Sequence, residues 1–139
     1  MNKKALIDSD VILDIALARS PFLENSRLVL VLAETTGVLG FVTPICIANV
    51  HYFLRKAADD AKARFFLSRI LTYLTVIPVD HPIVAEALKS DFGDFEDALQ
   101  HDAAVRNGCD SIITRNTGDY KKSKLPVYTP DEFVCLYCL

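Results

Sequence analysis

Ala5-Leu6-Ile7-Asp8-Ser9-Asp10, followed at once by Val11-Ile12-Leu13-Asp14, is the stretch that decides the fold of this chain. An apolar run that stops on acid reads as a buried strand, and the apolar residues after it read as a short helix over Val11–Ala18. Burying Ala5, Leu6 and Ile7 forces the chain to surface at Asp8, with Asp10 two residues on and Asp14 one helical turn further. Three carboxylates so close together repel one another unless something positive sits among them. A divalent metal ion is the usual solution, because hard cations prefer carboxylate oxygen. The competing reading is that Asp8 or Ser9 merely caps the helix. Spacing alone leaves the two level, and matching acids elsewhere in the chain must decide.

Further strand-like runs lie at Leu39–Val42, Leu74–Val79 and Ser111–Ile113, with a shorter one near Val127. Between them stand segments of helical periodicity: Asn25–Thr36, Ile45–Ala58 behind Thr43-Pro44, and Ala61–Tyr73. Asp80 caps a helix through Ser90, and Asp94-Phe95-Glu96-Asp97 opens another that reaches Asn107-Gly108. Thr129-Pro130-Asp131-Glu132 is a capping box for a last helix through Leu136. Strands that alternate with helices imply crossover connections and a sheet covered on both faces. The expected architecture is α/β: a three-layer α/β/α sandwich around a mainly parallel sheet of four to five strands. No linker or repeat divides the chain, so residues 1–139 read as one domain.

At 139 residues and 51% apolar composition the chain can build one sizeable core. No apolar run reaches membrane-spanning length, and Met1-Asn2-Lys3-Lys4 leads into a strand with no signal-peptide core, which together point to the cytoplasm. A net charge of -3 argues against a globally basic nucleic-acid coat, though not against a basic rim around an acidic cleft. Cys46 and Cys109 stand in apolar surroundings and read as core residues. Cys135 and Cys138 have the spacing of half a zinc site without the second half.

In open parallel sheets, sites form outside the carboxyl ends of the strands. Asp8 follows the first strand. Thr43 follows the second, with Asn49 and His51 in the helix behind it. Thr114-Arg115-Asn116 follows Ser111–Ile113, and Asp119 comes three residues later. Asp94 and Asp97, spaced i,i+3, sit on one side of a first helical turn, where the helix dipole favours carboxylate. Asp94 taken alone is better read as an N-cap. Asp97 lies among Ala98, Leu99 and Ala104, where a merely solvated acid is less expected. Asp8, Asp97, Asp119 and Asp94 therefore form a distributed carboxylate set able to bind one or two divalent ions. Mg²⁺ or Mn²⁺ fits better than zinc, because every candidate ligand atom is oxygen.

At these residues the chain resembles the PIN-domain ribonucleases, including the VapC-type toxins of bacterial toxin–antitoxin pairs. Leu6-Ile7-Asp8-Ser9-Asp10-Val11-Ile12-Leu13-Asp14 resembles the family's opening motif, Asp94-Phe95-Glu96-Asp97-Ala98-Leu99 its third, and Ile113-Thr114-Arg115-Asn116 with Asp119-Tyr120 its fourth. The tail Pro126-Val127-Tyr128-Thr129-Pro130-Asp131-Glu132-Phe133 resembles the branch whose last strand leads into a Thr-Pro-capped helix. The resemblance implies a metal-dependent endoribonuclease with RNA as substrate, Mg²⁺ or Mn²⁺ as cofactor, a small antitoxin as partner, and a homodimer. It implies that Asp8 and Asp97 hold the principal metal, that Asp119 and Asn116 complete the shell, and that Thr114 or Ser9 orients water. Asp94 and Asp10 add negative charge. One departure stands out: Asn49 occupies the place where the second motif has Glu.

Other residues carry less. His101 shares a helix face with Asp97 and reads as a polar rim residue, and Asp14 is likewise assigned to the rim. Arg115, Lys121 and Lys122 are candidates for meeting RNA phosphates, against the alternative of a solvated charge run. Two rival functions remain. Asp8-Ser9-Asp10-Val11 also resembles the opening motif of haloacid-dehalogenase-type phosphatases, but their late acidic motif follows a buried strand, whereas here a helix precedes Asp94. The second rival, motivated by Asn49, is a degenerate PIN domain kept for binding.

Overall fold

The computed structural model of the chain describes residues 3–35 and 37–137. Thr36, the expected end of the second helix, and Cys138, the second half of the cysteine pair, lie outside the described residues. In chain order the elements are β1 (Lys3–Ile7), α1 (Ser9–Ala16), α2 (Leu23–Thr35), β2 (Val38–Val42), α3 (Pro44–Ala57), α4 (Asp60–Ile70) and β3 (Leu74–Val76). They continue with α5 (His81–Leu88), α6 (Phe95–Arg106), β4 (Ser111–Ile113), a 3-10 turn (Thr117–Tyr120), β5 (Val127–Tyr128) and α7 (Pro130–Cys135). The five strands are all parallel, in the order β3-β2-β1-β4-β5.

Alternation along the central strands shows why both faces are covered. Ala5 and Ile7 point into one core with α1, α2, α3, α4 and α7, while Leu6 points into the other with α5 and α6. On β4, Ile113 joins the first core and Ile112 the second. A parallel sheet buried on both faces requires such near-continuous apolar strands. The result is the expected three-layer α/β/α arrangement.

The helix starts follow the capping chemistry. Thr43, Asp59, Asp80, Asp94 and Thr129 each accept a backbone N–H at an N-terminus, and Thr129 with Glu132 closes a full capping box. Boundaries differ from expectation by a few residues, and in three places the reason is plain. α1 begins at Ser9 because Asp8 itself is its N-cap. α2 begins at Leu23, since helical hydrogen bonds already run from the Leu23 and Ser26 N–H groups to Arg19 and Phe22 carbonyls. β3 stops at Val76 rather than Val79: Ile77 N–H still reaches the Val42 carbonyl, but Pro78 has no N–H to continue the ladder.

Gly40 in β2 has a packing reason to lack a side chain. A Cβ there would stand 2.5 Å from Leu74 Cδ2 and 3.3 Å from both Ala33 Cβ and Ile7 Cδ1. Gly40→Val is expected to cost about 2–3 kcal/mol in urea unfolding through overpacking, although valine is otherwise favoured in strands. An unchanged midpoint would mean that the α2–sheet interface has slack at this position.

Candidate active site

The strand order places the site. The chain runs from β1 to β2 on one side and reaches β4 on the other, so the topological switch lies between β1 and β4. Ile7 pairs with Ile113, and Asp8 N–H donates to the Ile113 carbonyl at 2.9 Å. Asp8 and Thr114 are thereby set side by side at the carboxyl ends of adjacent strands, with Thr43 at the end of β2.

Asp8 accepts four hydrogen bonds. Ser9 N–H (2.7 Å) and Gln100 Nε2 (3.3 Å) reach Oδ1, while Thr114 Oγ1 (3.0 Å) and Tyr120 OH (3.1 Å) reach Oδ2. Asp8 thus caps α1 and at the same time receives side chains from α6, the end of β4 and the 3-10 turn. Asp10 Oδ2 accepts from Arg115 N–H at 3.2 Å and Asn116 Nδ2 at 2.9 Å, and lies 3.1 Å from the single Thr114 hydroxyl that it shares with Asp8. Asp10 Oδ1 is buried with no hydrogen-bond partner. Burial, then the charge of Asp8, pushes the Asp10 carboxyl up to about 6.

From the other side α6 brings Asp97, half-buried in its first turn, while Asp94 is the exposed N-cap that accepts Asp97 N–H at 3.1 Å. Burial and the charges of Asp8, Asp94, Asp119 and Glu96 push the Asp97 carboxyl up to about 7. Asp119 is exposed in the 3-10 turn. Among the described residues no three His, Cys, Asp or Glu side chains stand close enough to hold an ion as they are, and none of these five acids pairs with a basic side chain.

Asn49 projects from α3 and donates from Nδ2 to Glu96 Oε1. Where the resemblance expects a carboxylate on α3, the Asn49 amide thus holds a carboxylate of α6. Sequence reasoning passed over Glu96, Gln100 and Tyr120. Helical spacing offered a signal for Gln100, which stands i,i+3 from Asp97. Tyr120 follows Asp119 in the fourth family-like motif, but only the fold shows its hydroxyl reaching Asp8 across 112 residues of chain.

Three side chains sit differently from expectation. Asp14 is not on the rim: it is 0% exposed and holds Arg115 through Nε at 2.6 Å and Nη2 at 3.1 Å, with Arg19 at 3.6 Å. The Arg115 guanidinium is correspondingly turned inward, over the Phe22 ring at 4.0 Å, rather than out toward a phosphate. His101 is buried at 3% exposure, accepting Lys124 N–H on Nε2 at 3.0 Å, with Nδ1 2.9 Å from Asp102 Oδ1. A ring nitrogen that accepts must be unprotonated, so Nδ1 carries the proton and donates to Asp102. Lys121 and Lys122 are exposed and line a cleft of about 170 Å³ with Asp119, Phe92 and Gly118. Cys46 and Cys109 are buried thiols pushed up to about 12 and about 11, chiefly by burial, which makes them inert. The helix α5 ahead of Asp94 removes the buried strand that a phosphatase of the haloacid-dehalogenase type would need there.

Comparison with known proteins places the chain. The PIN domain model matches residues 4–118. The chain is 28% identical over 139 residues to Ribonuclease VapC1 of Aquifex aeolicus (strain VF5), covering 95% of this chain and 94% of that protein. Its fold is similar to a toxin-antitoxin complex from Klebsiella pneumoniae (24% identity, TM-score 0.67, 91% of this chain and 97% of that one). It is also similar to DNA-bound VapBC from Salmonella typhimurium (14% identity, TM-score 0.69, 94% and 99%). With the motif acids gathered at the switch point of its parallel sheet, and a family match over most of its length, the chain belongs to the PIN-domain family.

Proposed function

We propose that the protein is a metal-dependent endoribonuclease and the toxin of a toxin–antitoxin pair, inhibited by a small protein partner. The observation that carries this reading is the uncompensated carboxylate field: Asp97, pushed up to about 7 by burial and then by the charges of Asp8, Asp94, Asp119 and Glu96, stands among acids with which no basic side chain among the described residues pairs. A divalent cation such as Mg²⁺ or Mn²⁺ is the group that such an all-oxygen set fits. Asp8 and Asp97 would hold it, with Asp119, Asp94 and the Asn49-held Glu96 around them. Bound there, it supplies Lewis acidity that makes water a usable nucleophile near neutral pH and offsets charge on a phosphodiester.

The chain's own side chains do the rest. Ser9 N–H, Gln100, Thr114 and Tyr120 keep Asp8 in one orientation. Asn116 is engaged with Asp10 through its amide N–H, so it acts by holding Asp10. Arg115 acts through Asp14, fixing the Thr114–Asn116 segment, while Lys121 and Lys122, exposed beside Asp119, would bind RNA phosphates. The antitoxin partner is carried over from the toxin–antitoxin complexes that share the fold. A second copy of the chain would meet the exposed Tyr52, Phe53 and Phe65 of α3 and α4, and light scattering of the pure protein reads that directly.

Incubating the purified protein with RNA and Mn²⁺, beside Asp8→Ala, tests the reading. Cleavage by the wild type that EDTA stops, and that falls by at least about 100-fold in Asp8→Ala, is the expected result. Equal cleavage by both proteins would overturn the role of Asp8. RNA retention without cleavage in either Mg²⁺ or Mn²⁺ would instead favour a binding module, the reading that Asn49 motivated.

A further inference from the structure

Gln100 is 1% exposed in α6, and its amide is engaged at both its oxygen and its nitrogen in a buried relay that ends on Asp8. Thr43 Oγ1 accepts Cys46 N–H at 3.1 Å as the N-cap of α3, so its single hydroxyl proton is free to donate to Gln100 Oε1, the partner it faces. That leaves Gln100 Nε2 toward Asp8 Oδ1 at 3.3 Å. With the amide reversed, its carbonyl oxygen would face the Asp8 carboxylate, acceptor against acceptor, and Thr43 would lose its acceptor. The threonine therefore dictates the direction of the amide, and the amide dictates what Asp8 meets.

The four donors on Asp8 also divide by kind. Oδ1 is held by two N–H groups, which have no lone pair to offer. Oδ2 is held by two hydroxyls, Thr114 and Tyr120, which can rotate their protons away and present oxygen. We infer that Gln100 is a positioning residue for the cation: through the Thr43–Gln100 relay it ties off Oδ1 of Asp8 and leaves Oδ2 as the oxygen that ligates. This inference rests on the metal-dependent reading above and adds to it a residue outside the family-like motifs.

The test is Mn²⁺ affinity by calorimetry on the whole chain without RNA, for wild type and Gln100→Met, which keeps the volume and removes the amide. Gln100→Met is expected to bind Mn²⁺ about 10–100-fold more weakly, the size of effect seen when a group that orients a ligand is removed. Saturating Mn²⁺ should then restore kcat with the KM for RNA unchanged. Should Gln100→Met fail to fold, Thr43→Ser, which keeps the hydroxyl donor, is expected to bind Mn²⁺ as wild type does, and Thr43→Val more weakly. Equal Mn²⁺ affinity in wild type and Gln100→Met, or a loss of activity that Mn²⁺ does not restore, would overturn the positioning role and leave the nuclease reading standing. A wild-type protein that takes up no Mn²⁺ would overturn both.

Discussion

Asp14→Ala is expected to destabilise the fold by about 3–4 kcal/mol, because it leaves the Arg115 guanidinium in a half-closed site without its carboxylate. Asp14 is 0% exposed and makes two hydrogen bonds to Arg115, whose side chain is 24% exposed. Desolvating such a charge is tolerable only while its partner is present. Replacing both members, as in Asp14→Leu with Arg115→Met, should recover most of the loss, since an apolar pair of similar volume removes the uncompensated charge. Thermal unfolding reads the difference, with a drop of roughly 10 °C expected for the single variant. The consequence for the site is direct: the pair pins Arg115, and the same segment supplies Thr114 to Asp8 and Asn116 to Asp10. A single variant as stable as the wild type would mean that Arg115 finds solvent at no cost.

The second large effect is expected at Asp97, where stability and activity should move in opposite directions. Its carboxyl is raised from 3.8 to about 7, so between those values the folded chain holds a proton that the unfolded chain has lost. The contribution of this group to stability is therefore greatest below about pH 4, declines as pH rises, and is gone above about pH 7. Asp10, raised to about 6, acts with the same sign over a narrower window. Asp97→Asn should remove most of this pH dependence and stabilise the metal-free protein at pH 8, by no more than about 1 kcal/mol because the side chain is half exposed and water screens the repulsion. RNA cleavage in Mn²⁺ should nevertheless fall on the order of 100-fold or more. A stabilised, inactive variant is the signature of a residue kept for function at a cost to the fold.

The parallel sheet was legible because the apolar strands, each followed by a capped helix, admit few other arrangements, and Asp8, Asp97 and Asp119 were legible because they follow strand ends or open a helix. What escaped the sequence depends on contacts between distant segments. Asp14 reads as a rim residue because nothing near it shows that Arg115, 101 residues later, folds back to meet it. His101 reads the same way because helical phase puts it on the face of Asp97, without revealing that the segment at Lys124 closes over it. Gln100 and Tyr120 look locally like an ordinary helix residue and the end of a turn. Their meaning comes from which ends of β1, β2 and β4 lie side by side. Glu96 escaped for a related reason: its partner Asn49 sits on a helix that reaches the site from the other side of the sheet order.

Binding of Mn²⁺ read by thermal unfolding at pH 7.5 tests whether these acids form a cation site. The melting temperature of the wild type should rise with Mn²⁺, as expected for a ligand that binds only the folded state. Asp97→Asn and Asp8→Ala should show little or no rise. A wild-type melting temperature indifferent to millimolar Mn²⁺, or the same rise in all three proteins, would contradict a cation site there.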